Sequence, residues 1–467
     1  MAFPSLVITI LGIATAVVML VQALTRRVDL LSLRNFFLLG FLIFQVSSAL
    51  IAFNTRVFGD FRIAEPEHAA RIYCVVATVF MILFLAFYQS GIIAKRVALR
   101  LPVGTSVPQT SALLTLAVLF LLSGLLGRFV LTYVPVVGPL AFIAGSAFTA
   151  AAATIAAWCW SKQWWNPVLA LFGGGIIAVA FASSLIGSFG RRDIAAVLLG
   201  VIWGSYHGWW KYLPPMTTIF RLGVVGAAGA IFLAAFSTIR SQELREARSL
   251  HRVVSALANA DVSTGLIDLA TGQLAAPNSM WIIDTHPLSF ERDPLHQLKY
   301  TTLMIVPRQF FPESFPKPDA LGRIAVDRGN LKGRPSGFSI GPGLVGHLWY
   351  DVVWISLPLY AFLLAIFVRT LDELPRIHGG NAFAIVPVGV ALGQIIGLSR
   401  GELGLFLFRA TLSTILTWIA MLLLARLIAR MGWTVNVDAA PDDEHAYDNY
   451  ADESFPEHEG GHEANAA

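Results

Sequence analysis

The sequence predicts an all-α polytopic membrane protein of about eleven transmembrane helices with one long structured loop. Three observations carry this. The chain of 467 residues is 56% hydrophobic and only 13% charged, with mean hydropathy +0.67; soluble domains carry about 25% charged residues. Its apolar residues fall into runs near the length that crosses a bilayer. Its Lys and Arg residues alternate in abundance between successive loops, as orientation signals do.

The candidate spans run at about 5–24, 35–53, 72–93, 110–131, 137–159, 165–187, 194–210, 217–238, 350–369, 382–398 and 404–425. The start, MAFPSLVITI, lacks a basic n-region, so the first span is expected to be retained rather than cleaved. Arg128 interrupts the end of the fourth span. His207 and Lys211 close the seventh, where Trp203, Trp209 and Trp210 mark an interface. Gly173-Gly174-Gly175 lies inside the sixth and reads as a site of close helix packing. Cys74 and Cys159 both sit in hydrophobic runs and read as buried free thiols.

One set of loop cations comprises Arg26, Arg27, Arg34, Lys95, Arg96, Arg100, Lys162, Lys211, Arg221, Arg369, Arg376, Arg426 and Arg430, thirteen in all. The opposite set holds Arg56, Arg62, Arg71, Arg128, Arg191, Arg192 and Arg400, seven in all. The larger set is expected in the cytoplasm, which places the N-terminus and the long loop outside and the C-terminus inside. Scattered between spans, these cations give no nucleic-acid footprint. The chain divides into N-terminal helices (1–238), the long loop (239–349), C-terminal helices (350–430) and an acidic tail (431–467). From Thr434 onward the tail holds ten Asp or Glu, three His and no Lys or Arg, so it is expected to be disordered.

Within the loop, residues 240–258 repeat apolar positions at spacings of three and four and predict an amphipathic helix. After Thr264-Gly265 the segment reads as irregular, with TGQLAAPNS as a turn region and SMWIIDTHP as a short buried piece. From Ile305 to Tyr350 it is crowded with Pro, Gly, cations and aromatics, a composition that specifies an irregular path suited to binding or catalysis.

Nucleotide chemistry finds no support. There is no GxxxxGK[ST] loop, no strand–GxGxxG–helix context, no HExxH and no Asp-x-Asp. Neither cofactor nor metal is expected, and the energy for any reaction should come from the substrate. The predicted outer side is instead cationic. Arg191 and Arg192 lie in SFGRRDIAAVLLG, with Asp193 placed to orient them. Arg308, Lys317, Arg323, Arg328, Lys332 and Arg334 lie in the long loop, Arg400 lies in LSRGELG, and Arg409 stands a little deeper. Guanidinium forks suit phosphate oxygens, so these loops could bind a diphosphate; each Arg alone could equally be a snorkelling anchor. His347, in GPGLVGHLWY at the mouth of the ninth span, is either an interfacial His that caps backbone groups or, as the most interesting titratable residue, the candidate general base with an imidazole near its ordinary pKa. Asp351 and Glu402 are weaker base candidates.

In order along the chain, DLLSLRNFFLLGFLIFQ, SFGRRDIAAVLLG, IVPRQFFPESFPKP, SIGPGLVGHLWY and LSRGELGLFLF resemble the Wzy-type oligosaccharide repeat-unit polymerases, the O-antigen polymerases of bacterial envelopes. The resemblance covers about residues 28–425. It implies a GT-C-like glycosyltransferase in the bacterial cytoplasmic membrane with its active site on the outer face. Such enzymes join undecaprenyl-diphosphate-linked repeat units, donor and acceptor alike, without nucleotide or metal. By this likeness Arg191, Arg192, Arg308, Lys317 and Arg400 match family positions and would bind the substrate diphosphate and stabilise it as it leaves. From the residues themselves, Arg334 joins the substrate-binding set, and His347 and Arg308 are the residues expected to act in catalysis. Membrane lipids and a chain-length regulator are the further implied partners. The family more often carries an acidic residue where His347 stands, and the run after Tyr350 lacks the glycines often found there. Transfer of glycan to a lipid acceptor, transport of lipid-linked oligosaccharide and an export-assembly role remain alternatives.

Overall fold

The structure, a computed structural model, describes residues 1–25, 29–59, 62–104, 108–186, 191–239, 250–285, 293–304, 306, 310–312, 317–328 and 340–433. Among these, every regular element is helical. In chain order they are α1 (Ala2–Leu24), α2 (Leu33–Thr55), α3 (Pro66–Ser90), the short α4 (Ile92–Arg100), α5 (Thr110–Phe129), α6 (Gly138–Lys162), α7 (Pro167–Leu185), α8 (Arg191–Gly208) and α9 (Pro215–Thr238). The long loop contributes α10 (Leu250–Ala258), α11 (Val262–Ala270), α12 (Ala275–Thr285), α13 (His296–Leu303) and α14 (Leu321–Arg328). Then come α15 (Gly343–Tyr350), α16 (Val353–Ile377), the pair α17 (Ala382–Gly389) and α18 (Leu392–Ile395), and α19 (Leu403–Arg430).

Nine of these helices are long and apolar enough to cross a membrane: α1, α2, α3, α5, α6, α7, α9, α16 and α19. The chain is a multi-pass membrane protein on that evidence. Two of the eleven sequence candidates fall short, for different reasons. Arg191, Arg192 and Asp193 occupy the first turn of α8, which leaves an apolar stretch of about 22 Å at 1.5 Å per residue. The 382–398 candidate breaks after Gly389 into α17 and α18. Both candidates lie inside the protein. Trp203 of α8 donates its indole N–H to Ile385 O at 2.9 Å, and the residues of α17 and α18 are buried. A backbone break is tolerated at membrane depth where protein surrounds it.

Small residues set the packing. Gly200, Gly204 and Gly208 recur every fourth position on α8, and a Cβ at Gly204 would overlap the Thr154 carbonyl of α6. The facing side of α6 carries Ala150, Thr154, Trp158 and Ser161. Gly124 and Gly127 of α5 meet Gly145 of α6 in the same way. Such stripes let backbones approach where lipid supplies no hydrophobic drive. Of the Gly173-Gly174-Gly175 run, only Gly173 packs; a Cβ on either of the other two would meet nothing within 4 Å. Cys74 and Cys159 are free and buried, as read.

Among its described residues, the long loop is more helical than its composition suggests. Asp261 caps α11 by accepting from Ser263 N and Thr264 N, so the Thr264-Gly265 pair lies inside a helix and not at the start of an irregular stretch. Gly265 is there for close approach, since a Cβ would overlap the Ala234 carbonyl of α9. The expected turn at TGQLAAPNS shrinks to one 3₁₀ turn, Gly272–Leu274, before α12 begins at Ala275. Pro277 fits the first turn of that helix, where no N–H is needed. The buried reading of the SMWII run holds, because Ser279 to Ile283 are buried. Of the amphipathic helix expected over 240–258, α10 covers the second half, and 240–249 lie outside the described residues. The acidic tail from Thr434 also lies outside them.

Candidate functional site

Two polar clusters stand at opposite ends of the bundle. Asp351 precedes α16 and Asp372 lies near its other end, so at 1.5 Å per residue they are about 31 Å apart. The first cluster gathers several of the residues singled out in the sequence.

Glu402 is its centre. It occupies the N-cap position of α19, yet its carboxylate does not cap that helix. Instead Oε1 accepts from Gly322 N at the start of α14. Its second oxygen, Oε2, lies 3.6 Å from His347 Nε2. Burial pushes Glu402 up to about 7; the N–H groups of Gly322 and Leu321 and the Arg192 charge oppose that rise only in part.

His347 is fully buried on α15, away from any mouth. The Gly401 carbonyl is 3.2 Å from Nε2 and accepts its proton when that nitrogen carries one. Leu403 N–H, 3.3 Å away, donates to the same nitrogen when it does not. The expectation of an imidazole near its ordinary pKa is wrong: burial drives it down to about 3. His347 is therefore neutral at physiological pH; it is in van der Waals contact with Glu402, and its ring nitrogen is engaged by the Gly401 and Leu403 backbone.

Arg192 arrives from the first turn of α8. Its guanidinium stacks over the Phe406 ring at 4.1 Å. That ring fits against Gly397 and Gly401, where any Cβ would collide with it. Asp193 was expected to orient its arginine neighbours. It pairs instead with buried Arg128, at 3.6 Å, which ties the start of α8 to α5. Arg128 also donates to Ser146 Oγ at 3.2 Å. Tyr300 of α13 lies among Glu402, Arg409, Asp319 and Arg192, and burial raises its phenol to about 12, so it remains a donor.

Hydrogen bonds tie the surrounding frame together, though Asp351 Oδ1, Gln297 Nε2 and Glu402 Oε2 are buried without a hydrogen-bond partner among the described residues. Asp351 accepts from Gln297 N at 2.8 Å and from the Tyr360 hydroxyl. Gln297 in turn accepts from Gly404 N at 3.1 Å, which joins α13 to the start of α19. Burial raises Asp351 to about 6, but its bonds make it a brace. The π-helical turn Leu42–Ser47 in α2 turns Gln45 inward, where it accepts from Tyr73 and donates to Ser399 O. Such turns commonly mark functional places.

The remaining site expectations divide. Arg400 comes to the same end, with its guanidinium 6.0 Å from the Phe44 ring and its carbonyl accepting from Gly343 N at 3.0 Å. Lys317 donates to Met304 O at 3.0 Å and Val306 O at 2.7 Å, so its ammonium ties down the loop. Arg191 opens α8, with its side chain outside the described residues. Arg308 and Arg334 lie outside them entirely. Sequence reasoning missed Tyr300 and Gln297. Their segment, HQLKYTTL, is a short helix without amphipathic pattern or motif, and only the fold brings it to Glu402.

Chemically, the cluster offers a carboxyl titrating near neutrality, a neutral imidazole behind it, a phenol donor and the guanidinium groups of Arg192, Arg409 and Arg400. No known protein family, curated protein or solved structure matches the chain.

Proposed function

We propose that this protein is a membrane glycosyltransferase that polymerises undecaprenyl-diphosphate-linked oligosaccharide repeat units at the Glu402 end of the bundle. The observation that supports it best is the meeting of Arg192, Glu402, Tyr300 and Arg409 from three separate parts of the chain. A carboxyl near neutrality beside fixed cations suits attack of a hydroxyl on an anomeric carbon with departure of a diphosphate. In this reading Glu402 accepts the proton of the acceptor hydroxyl. The anomeric carbon–oxygen bond to the diphosphate breaks as the new glycosidic bond forms. Arg192, Arg409 and Arg400 stabilise the leaving diphosphate, and Tyr300 donates to one of its oxygens. His347 positions Glu402 without taking the proton. α14 covers Glu402 in the described arrangement, so substrate entry requires α14 to lift.

In this reading the Glu402 end faces away from the cytoplasm, as the loop cations suggest. A second reading, transport of the lipid-linked oligosaccharide, draws on the α17–α18 break, since discontinuous helices form transporter sites. No ionisable residue lies between Asn381 and Ser399, however, and the charged clusters stand at the helix ends, which favours the enzyme. Deleting the gene should leave single repeat units on the cell surface, with full-length polymer restored by the wild-type chain but not by Glu402→Gln of equal membrane abundance. Normal polymer length in the deletion strain would overturn the proposal.

A further inference from the structure

The opposite end of the bundle holds a cavity of about 230 Å³ that the proposed chemistry does not use. It lies between the C-terminal part of α16, the end of α8 and the start of α2. Its carboxylates are already engaged. Asp372 accepts from Leu33 N at 2.6 Å, Arg34 N at 3.1 Å and the Tyr88 hydroxyl at 2.8 Å, so it caps α2. Glu373 accepts from Arg369 and lies 3.6 Å from Arg376. Asp29 is bonded to the Tyr206 phenol.

The nitrogen-bearing groups are less completely engaged: Arg369 and Arg376 share Glu373, while Lys211 and His207 do not. Lys211 lines the cavity and pairs with no carboxylate among the described residues; its ammonium is 5.7 Å from the Tyr212 ring. His207 is 2% exposed, and both its ring nitrogens lack a hydrogen-bond partner among those residues. The buried Nε of Arg369 is in the same position, while its outer nitrogen is tied to Glu373. Buried polar groups are ordinarily satisfied; the orphaned nitrogens of buried His207 and of Arg369, beside a half-buried Lys211 without a carboxylate partner among the described residues and with the lining carboxylates occupied, call for an anion.

We propose that this cavity binds a phosphate group, held by Lys211, His207 and Arg369 with Arg376 at its exposed side. Arg offers phosphate two parallel donors and Lys a point charge, and His207 donates one ring N–H. The volume exceeds that of several waters at about 30 Å³ each, so part of the molecule carrying the phosphate enters with it. Two sources share this chemistry, a soluble phosphate ester and the headgroup of a membrane phospholipid with a terminal phosphate. The proposal does not rest on polymerisation.

The test uses the full chain in phosphatidylcholine nanodiscs and follows its thermal unfolding. One arm adds inorganic phosphate or glycerol phosphate, with sodium chloride at matched ionic strength as control. The other incorporates phosphatidic acid. Saturable stabilisation in the first arm identifies a soluble source, and stabilisation in the second alone identifies a lipid headgroup. Either supports the site if Lys211→Gln and Arg376→Gln each weaken half-saturation about tenfold while unfolding at the unliganded wild-type temperature. No stabilisation beyond chloride from either source, or equal stabilisation of Lys211→Gln and wild type, would overturn it.

Discussion

The His347–Glu402 contact predicts opposite pH dependences for two single variants. Glu402 has its pKa raised from 4.5 to about 7 in the folded protein. Between those values the folded state holds a proton that the unfolded state has released. Its contribution is therefore fully present below pH 4.5 and is lost as pH rises through 7. His347 has its pKa lowered from 6.5 to about 3. Its contribution is present above pH 6.5 and is lost as pH falls toward 3. Each slope is about 1.4 kcal/mol per pH unit. From pH 6.5 to 5.0 the two oppose and nearly cancel. Glu402→Gln leaves the His347 slope alone, so acidification over that window should cost the variant about 2 kcal/mol relative to wild type. His347→Gln leaves the Glu402 slope alone and should gain about as much. Equilibrium unfolding in mixed micelles, followed by tryptophan fluorescence at each pH, measures both. Parallel pH profiles for the three proteins would show that neither group is buried against the other, and the account of the site would fail.

If Glu402 is the base, the polymerisation rate at pH 6 should be about a tenth of its alkaline plateau, because the carboxylate must be ionised to accept the proton; Glu402→Gln should abolish that limb and lower the rate about 10²-fold or more. Arg192→Ala should lower turnover about 10²-fold, and Arg192→Lys should not restore it, since a point charge lacks the planar fork that stacks on Phe406. Gly204→Ala should destabilise the bundle by about 1–3 kcal/mol through collision with the Thr154 carbonyl. Gly226→Ala, where a Cβ meets nothing, should be neutral or stabilise by up to about 1 kcal/mol. Thermal unfolding of both glycine variants in one detergent makes the comparison.

Hydropathy made nine helices legible, because lipid-facing length is written directly into composition. The two remaining candidates show where that reading stops. α8 and the α17–α18 pair are apolar because protein buries them, and periodicity does not distinguish a helix among helices from a helix in lipid. The long loop misled for a different reason. Its Gly and Pro residues were read as breakers, yet Gly265 serves close approach to Ala234 and Pro277 sits in a first turn. At the site, Arg192, Arg400, His347 and Glu402 were legible as charged or titratable residues at span ends. Their roles were not. His347 drew attention as the base because imidazole titrates near neutrality in water. Burial reverses the order, lowering the imidazole and raising the carboxyl of Glu402, and burial is a property of the fold.

Turnover by the purified protein tests the central claim most directly. The protein would be supplied with undecaprenyl-diphosphate-linked repeat units from its own host, without nucleotide or divalent metal, and the products sized on a gel. The account predicts a ladder of polymer that is lost in Arg192→Ala and Glu402→Gln. Intact protein that moves labelled lipid across a vesicle membrane but forms no glycan product would contradict it.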